Sequence, residues 1–300
     1  MTTITNNRLR YPTGVRPLLA AETARRRRIE TRIVDALERA GFAEVVLPII
    51  DYVEPYAALT TRDAARQSYR FTDREGELVA IRADFTPMLA RALAPELRAG
   101  ELPLRLFYRG DVIRNEASRL GTNREMFQIG AEIVGDGSVD ADVAMLRLAA
   151  DLVPGAKVVY SDVSIAAAFP EMRNALATKR AGDGAPDVVA KLIAGTATID
   201  DVAPFAPAAA ERLRAIESAL DDRFELHLDD ADAAGYYTGL RFSVFSERTR
   251  VAQGGRYDDL YARFGAGAPA IGFTFTVDDI GTRPSPAAGD RRVPPRPDDL

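Results

Sequence analysis

The sequence predicts an α+β domain built on a largely antiparallel sheet flanked by helices, and three observations carry that expectation. Strand-like stretches come in hairpin pairs, "SYRFTDREGELVAIRADFTP" and then "FYRGDVIRNE" with "REMFQIGAEIVG". Helical patterns lie between and around these pairs. The phosphate-binding signatures of parallel nucleotide-binding sheets, a Walker A run or a Gly-x-Gly-x-x-Gly after a strand, are missing.

In chain order, Glu22–Ala40 reads as a helix with an apolar stripe at Ile29, Ile33, Val34 and Leu37, stopped by Gly41. "EVVLPIIDYVEPY" reads as a strand interrupted by Pro48, which marks an edge or an interface because proline donates no ladder hydrogen bond. The first hairpin turns at Asp73–Gly76, and Ala90–Leu97 is expected to be helical. In the second hairpin, Phe127, Ile129, Ala131 and Ile133 share one strand face, and Arg124, Met126, Gln128, Gly130 and Glu132 share the other. Val112, Arg114 and Glu116 share a face of its first strand, and Ser118–Asn123 supplies the turn. One face packs a core, and the polar face is either solvated or a site.

Gly137–Val153 is expected as a helix entered at Ser138, and "KVVYSDVSI" as a strand. From about Ala166 to Asp222 the chain becomes alanine-rich and helical in pattern, broken at Pro186, Pro204 and Pro207, which suggests a helical insertion. Strand signals return in "RFELHLDD", "GYYTGLRFSVFSE" and "RVAQGG"; a short helix is expected at Tyr257–Arg263, and "APAIGFTFTV" as a last buried strand. Residues 282–300, rich in proline, arginine and aspartate, are expected to be disordered.

Composition narrows the chemistry. With 300 residues, 47% apolar and 28% charged, the chain can bury a full core. It has no run of roughly 18 apolar residues, and its first residues lack a signal-peptide core, so a cytoplasmic protein with no membrane partner is expected. Zero cysteines exclude disulfides and thiolate metal sites, and one histidine, His227, excludes histidine-cluster metal sites; no metal or cofactor is expected. His227 reads as a surface or packing residue in a strand. A net charge of −5 argues against a nucleic-acid partner, and the one basic run, Arg25–Arg28, reads as a solvated helix face in preference to a phosphate patch. Gly254–Gly255 and Gly272 either let a ligand lie against the backbone or serve packing.

These pieces together resemble the catalytic core of histidyl-tRNA synthetases, a class II aminoacyl-tRNA synthetase fold, from about Tyr11 to Ile280. "GFAEVVLPII" resembles the first class II motif, with Pro48 at the dimer interface. "FYRGDVIRNE" with "REMFQIGAEIVG" resembles the second, including Arg114 and Glu116, and "AQGGRYDDL" and "PAIGFTF" resemble the glycine-rich run and third-motif strand. The resemblance implies one core domain over residues 1–281 with the insertion at about 166–222. It also implies a histidine pocket. Asp84, Thr86 and Gln128 fall where the family holds the ammonium group, Glu132 where it holds the imidazole, and Tyr236 and Tyr237 where tyrosines line the site. Ammonium needs acceptors in a partly dry site, and imidazole needs a partner that fixes its tautomer.

Two departures bear on activity. Synthetases carry an arginine near the reacting carboxylate where this sequence has Asp232, and a phosphate-holding arginine where it has Asp279. At roughly 5 Å and an effective dielectric near 20, each change loses about 3 kcal/mol of attraction and adds similar repulsion. The sequence also ends before an anticodon-reading domain. No independent catalysis is therefore expected, and the chain resembles the regulatory subunits of ATP phosphoribosyltransferase, a synthetase-like family. That resemblance implies a short catalytic subunit as partner, a homodimer through the motif-one region within a hetero-oligomer, and feedback by histidine in histidine biosynthesis. The alternatives are an active histidine-activating enzyme, either a minimal synthetase or an adenylate-forming amino-acid ligase, and a synthetase-like protein repurposed to bind tRNA or another partner without sensing histidine. Under any of these, Asp84, Gln128 and Glu132 either bind a ligand or hold a fixed hydrogen-bond network.

Overall fold

The computed structural model describes residues 11–57, 59, 67–98, 102–115, 123–169, 187–228 and 236–280. Helix α1, Ala20–Arg39, turns Ile33 and Leu37 into the core and gives way to Gly41, whose φ of +81° favours glycine. The next stretch is less regular than its β-branched residues suggest. It forms only β1, Ala43–Glu44, and β2, Ile50–Tyr52, with a break around Pro48. The break is held by Arg82, whose Nη1 donates to the carbonyls of Leu47 and Pro48 at 2.9 and 3.2 Å. The same guanidinium donates to the Asp111 carbonyl at 3.1 and 2.9 Å and lies 3.9 Å from the centre of the Phe85 ring.

Strands β3, Arg70–Thr72, and β4, Leu78–Ile81, form the expected hairpin, and with β2 they make a small sheet in the order β2-β4-β3. Asp73 Oδ1 closes the turn by accepting from the amides of Glu75 and Glu77. Helix α2 runs Thr86–Leu93, one turn earlier than expected, because Pro87 is pre-set for a first helical turn; a 3-10 turn, Glu96–Arg98, follows. Strands β5, Leu104–Ile113, and β6, Glu125–Val134, pair antiparallel from Leu104↔Val134 to Ile113↔Glu125.

Helix α3, Val139–Asp151, begins at Ser138, whose Oγ accepts from the Ala141 amide at 3.2 Å. Strand β7, Lys157–Asp162, stops short of the expected end because Asp162 caps helix α4, Val163–Ala167, accepting from the Ser164 amide at 2.9 Å. The described part of the helical region holds α5, Asp187–Ile193, α6, Ile199–Val202, and α7, Pro207–Ala219. Strands β8, Phe224–Leu226, β9, Leu240–Ser246, β10, Thr249–Arg256, and β11, Ala270–Thr276, complete the set. Tyr236–Gly239, expected within a strand, precede β9. The expected helix near Tyr257 is a 3-10 turn, Tyr261–Phe264, and another, Val277–Asp279, follows β11. The expected turn residues 118–122, residues 170–186 of the helical region and the tail from 282 lie outside the described residues.

The main sheet runs β1-β5-β6-β11-β10-β9-β7-β8, parallel in its outermost pairs and antiparallel between them. Alternation divides it. Phe107, Ile129, Ile133, Val244, Phe273 and Phe275 point toward α1, α3 and the helices α5–α7, and all share one core cluster. The opposite face is covered by α2 and the turn after β10.

The arginine run of α1 is only partly a solvated face. Arg26 makes a two-pronged pair with Asp278 at 2.7 and 2.6 Å, and Arg25 donates to the Ile280 carbonyl. They tie the first helix to the turn that follows β11. A second tie is buried: Asp142 on α3 accepts from Arg256 on β10 at 2.9 and 2.6 Å and from Arg212 on α7 at 2.5 Å.

Candidate functional site

Strand register arranges the covered face as a grid. Glu132 lies beside Gly272, then Gly255, then Arg241. Two residues along, Tyr108, Gly130, Thr274, Gln253 and Ser243 form the next row, and beyond it Gln128 lies beside Thr276. The two glycines of the first row leave the sheet bare. A Cβ at Gly272 would overlap the Glu132 carboxyl group, so that position must lack a side chain for the acid to lie over it.

Glu132 is enclosed. Its Oε1 accepts from Tyr108 at 2.9 Å and from Thr86 at 3.2 Å, and its Oε2 accepts from the Tyr257 hydroxyl. Burial pushes its carboxyl up to about 8; the three hydroxyls pull the other way, and the nearby Asp84 charge adds to the rise. At neutral pH the group is largely a carboxylic acid, and an arriving N–H donor or cation would favour its ionised form. Asp84 is also raised by burial, against the charge of Arg114 and hydrogen bonds from the Thr86 amide at 3.1 Å and the Tyr236 hydroxyl at 3.5 Å. Burial holds Tyr108, Tyr236, Tyr237 and Tyr257 above the usual phenol range, so they remain hydroxyl donors.

All seven pocket residues proposed from the sequence, Asp84, Thr86, Arg114, Gln128, Glu132, Tyr236 and Tyr237, line one polar cavity of about 80 Å³. Asp84, Arg114, Tyr236, Tyr237, Arg250 and Gln253 also line an adjoining cleft of about 450 Å³, which adds Arg70, Arg82 and Arg241. The arrangement offers acceptors at one end and cations toward the other, which suits a small zwitterion. Asp279 sits on the turn past β11 and does not line the cavity, while Asp232 and Glu116 lie outside the described residues. His227 is remote from the cavity, with Nε2 3.0 Å from Glu225. Gly254 is a packing glycine: a Cβ there would strike Phe242 and the Gly272 carbonyl. Among the described residues, no group of three or more His, Cys, Asp or Glu could hold a metal ion, and no helix is long and apolar enough to cross a membrane.

Sequence reasoning missed Tyr108, Tyr257, Thr274, Gln253 and Arg250. Tyr108 was within reach of it, since extending the alternation of Val112 and Arg114 backward puts Tyr108 on their face. Tyr257 required knowing where the strand after the double glycine ends.

A mostly antiparallel sheet with helices packed on one face and a polar ligand cavity on the other defines a class II aminoacyl-tRNA synthetase-like domain. The chain superposes with a TM-score of 0.79 on an ATP phosphoribosyltransferase regulatory subunit/histidyl-tRNA synthetase from Bacillus halodurans, at 22% identity, covering 90% of this chain and 82% of that one. A histidine–tRNA ligase subunit from Alicyclobacillus acidocaldarius gives 0.73 at 27% identity, covering 90% and 96%. The sequence model of the Histidyl-tRNA synthetase family matches residues 14–192 and 170–280. The ATP phosphoribosyltransferase regulatory subunit of Geobacter sulfurreducens is 30% identical over 92% of this chain and 73% of its own length. That of Azotobacter vinelandii is 31% identical over 93% and 81%. The chain belongs to this synthetase-like family of ATP phosphoribosyltransferase regulatory subunits.

Proposed function

We propose that the chain acts in the cytoplasm as a regulatory subunit of ATP phosphoribosyltransferase, without catalysis of its own, together with a short catalytic subunit, and that it takes part in feedback control by histidine. The observation that carries this reading is the polar cavity lined together by Asp84, Gln128, Glu132, Tyr236 and Tyr237. In it, Asp84 and Gln128 receive the ammonium group, Thr86 steadies Asp84, and Glu132 with Tyr237 receives the imidazole. Adenylate formation is disfavoured by Asp279, which stands where the resemblance calls for a cation. Histidine controls a partner only if it binds two states of the complex unequally, so the pocket and the control are separate claims.

A second copy is the natural cover for the surface around the first motif. Val46, Ile49, Ile50 and Tyr52 are 90, 60, 50 and 46% exposed, and Phe71 and Leu78 of the small sheet, 41 and 49% exposed, add to the apolar surface. This supports a homodimer inside the hetero-oligomer. The test is reconstitution: mix the chain with the short catalytic subunit from the same genome and follow phosphoribosyl-ATP formation with and without histidine. Activity that depends on this chain and falls with histidine is expected. Activity indifferent to the chain would sink the regulatory reading.

A further inference from the structure

A ligand with a carboxylate needs a cation, and the position where synthetases supply one holds Asp232 here. The register of β9 and β10 suggests a substitute. Arg250 pairs with Phe245, yet Ala252 pairs with Val244, so β10 carries one extra residue at Val251. By simple alternation Arg250 would share the face of Ala252, which points into the apolar core. The bulge reverses this and turns Arg250 onto the face of Gln253 and Arg241.

Arg250 consequently lines both the small polar cavity and the adjoining cleft. Counted along β9, it lies level with the row in which Gln128 lies beside Thr276. Glu132 lies two strands away and four register steps back along the sheet, roughly 16 Å between Cα atoms at ordinary strand rise and spacing. The two side chains reach into the same cavity from opposite corners, with Gln128 near the arginine end. An amino acid whose imidazole meets Glu132 then has its ammonium near Gln128 and its carboxylate toward Arg250. At the Tyr237 hydroxyl the charge of Arg241 opposes the effect of burial, and that of Arg250 acts in the same sense more weakly.

We propose that Arg250, set on the polar face by the β10 bulge, is the carboxylate-binding residue of the amino-acid pocket, with Arg241 supporting the same positive field. This rests on the histidine-pocket reading above. It makes the site selective for an intact α-amino acid over the corresponding amine.

The test compares calorimetric affinities of the full chain for L-histidine and for histamine, which lacks the carboxylate. The wild type is expected to prefer histidine by about 10- to 100-fold, the worth of a charge-assisted hydrogen bond. Arg250→Gln should bring histidine down to the histamine level while leaving histamine binding within about twofold. Arg250→Lys should restore part of the preference, and Arg241→Gln should reduce it less. If wild-type chain binds neither compound, the histidine-pocket reading fails and this inference falls with it. If wild-type chain prefers histidine and Arg250→Gln keeps the full preference, the inference is overturned while the pocket reading stands. A variant that no longer folds would show as lost histamine binding, in which case Arg250→Lys decides: a retained part of the preference for histidine supports the assignment of a cation, and lost binding of both compounds overturns it in favour of a structural role.

Discussion

Replacing Glu132 by glutamine should remove a large pH-dependent term from the protein's stability. The acid has a folded-state pKa of about 8 against an ordinary 4.5. The folded chain therefore holds a proton that the unfolded chain has released, and stability falls as pH rises from about 4.5 through about 8, then levels. At 1.36 kcal/mol per unit, the full penalty approaches about 5 kcal/mol, of which about 3 is felt at pH 7. Glu132→Gln removes that penalty but mismatches the hydroxyls of Tyr108, Thr86 and Tyr257, at a cost of about 1–2 kcal/mol. The variant should be less stable than wild type at pH 5 by about 1 kcal/mol and more stable at pH 9 by about 3. Urea denaturation of both proteins at pH 5, 7 and 9 reads this directly, because other titrating groups cancel in the difference. A difference constant to within about 0.5 kcal/mol across the range would show that burial does not govern Glu132.

The remaining expectations concern packing and assembly. Asp142→Ala should cost about 3 kcal/mol in denaturant unfolding, since the buried guanidinium of Arg256 loses its closest carboxylate and keeps only Asp258 at 3.1 Å. Gly272→Ala should weaken histidine binding at least about tenfold by calorimetry, because the new methyl occupies the space of the Glu132 carboxyl. Ile49→Glu should shift the chain from dimer to monomer in sedimentation equilibrium, and an unchanged mass would remove the motif-one surface from the interface.

Much of the fold could be read from alternation alone. The second hairpin announced both its core face, Ile129, Ala131 and Ile133, and its polar face, Gln128 and Glu132, because a strand buried on one side and lined by a site on the other keeps strict period two. What stayed hidden depended on partners distant in sequence. The face of Arg250 is set by an extra residue counted against β9, and no local pattern reveals a bulge. The strand around Pro48 was over-read because its β-branched residues suit a ladder, whereas Arg82, far along the chain, takes its carbonyls instead. Helix α2 starts a turn earlier than its sequence suggests because Asp84–Pro87 read as the end of the preceding hairpin.

Arg82 also joins two regions with different tasks. Its guanidinium grips the backbone beside the exposed Val46–Ile49 surface, and only one residue separates it in sequence from Asp84 in the cavity wall. Surface and cavity are thereby braced by one side chain. A substitution at Arg82 would read out twice, as weakened self-association and as a loosened pocket, and neither defect examined alone would point back to its source.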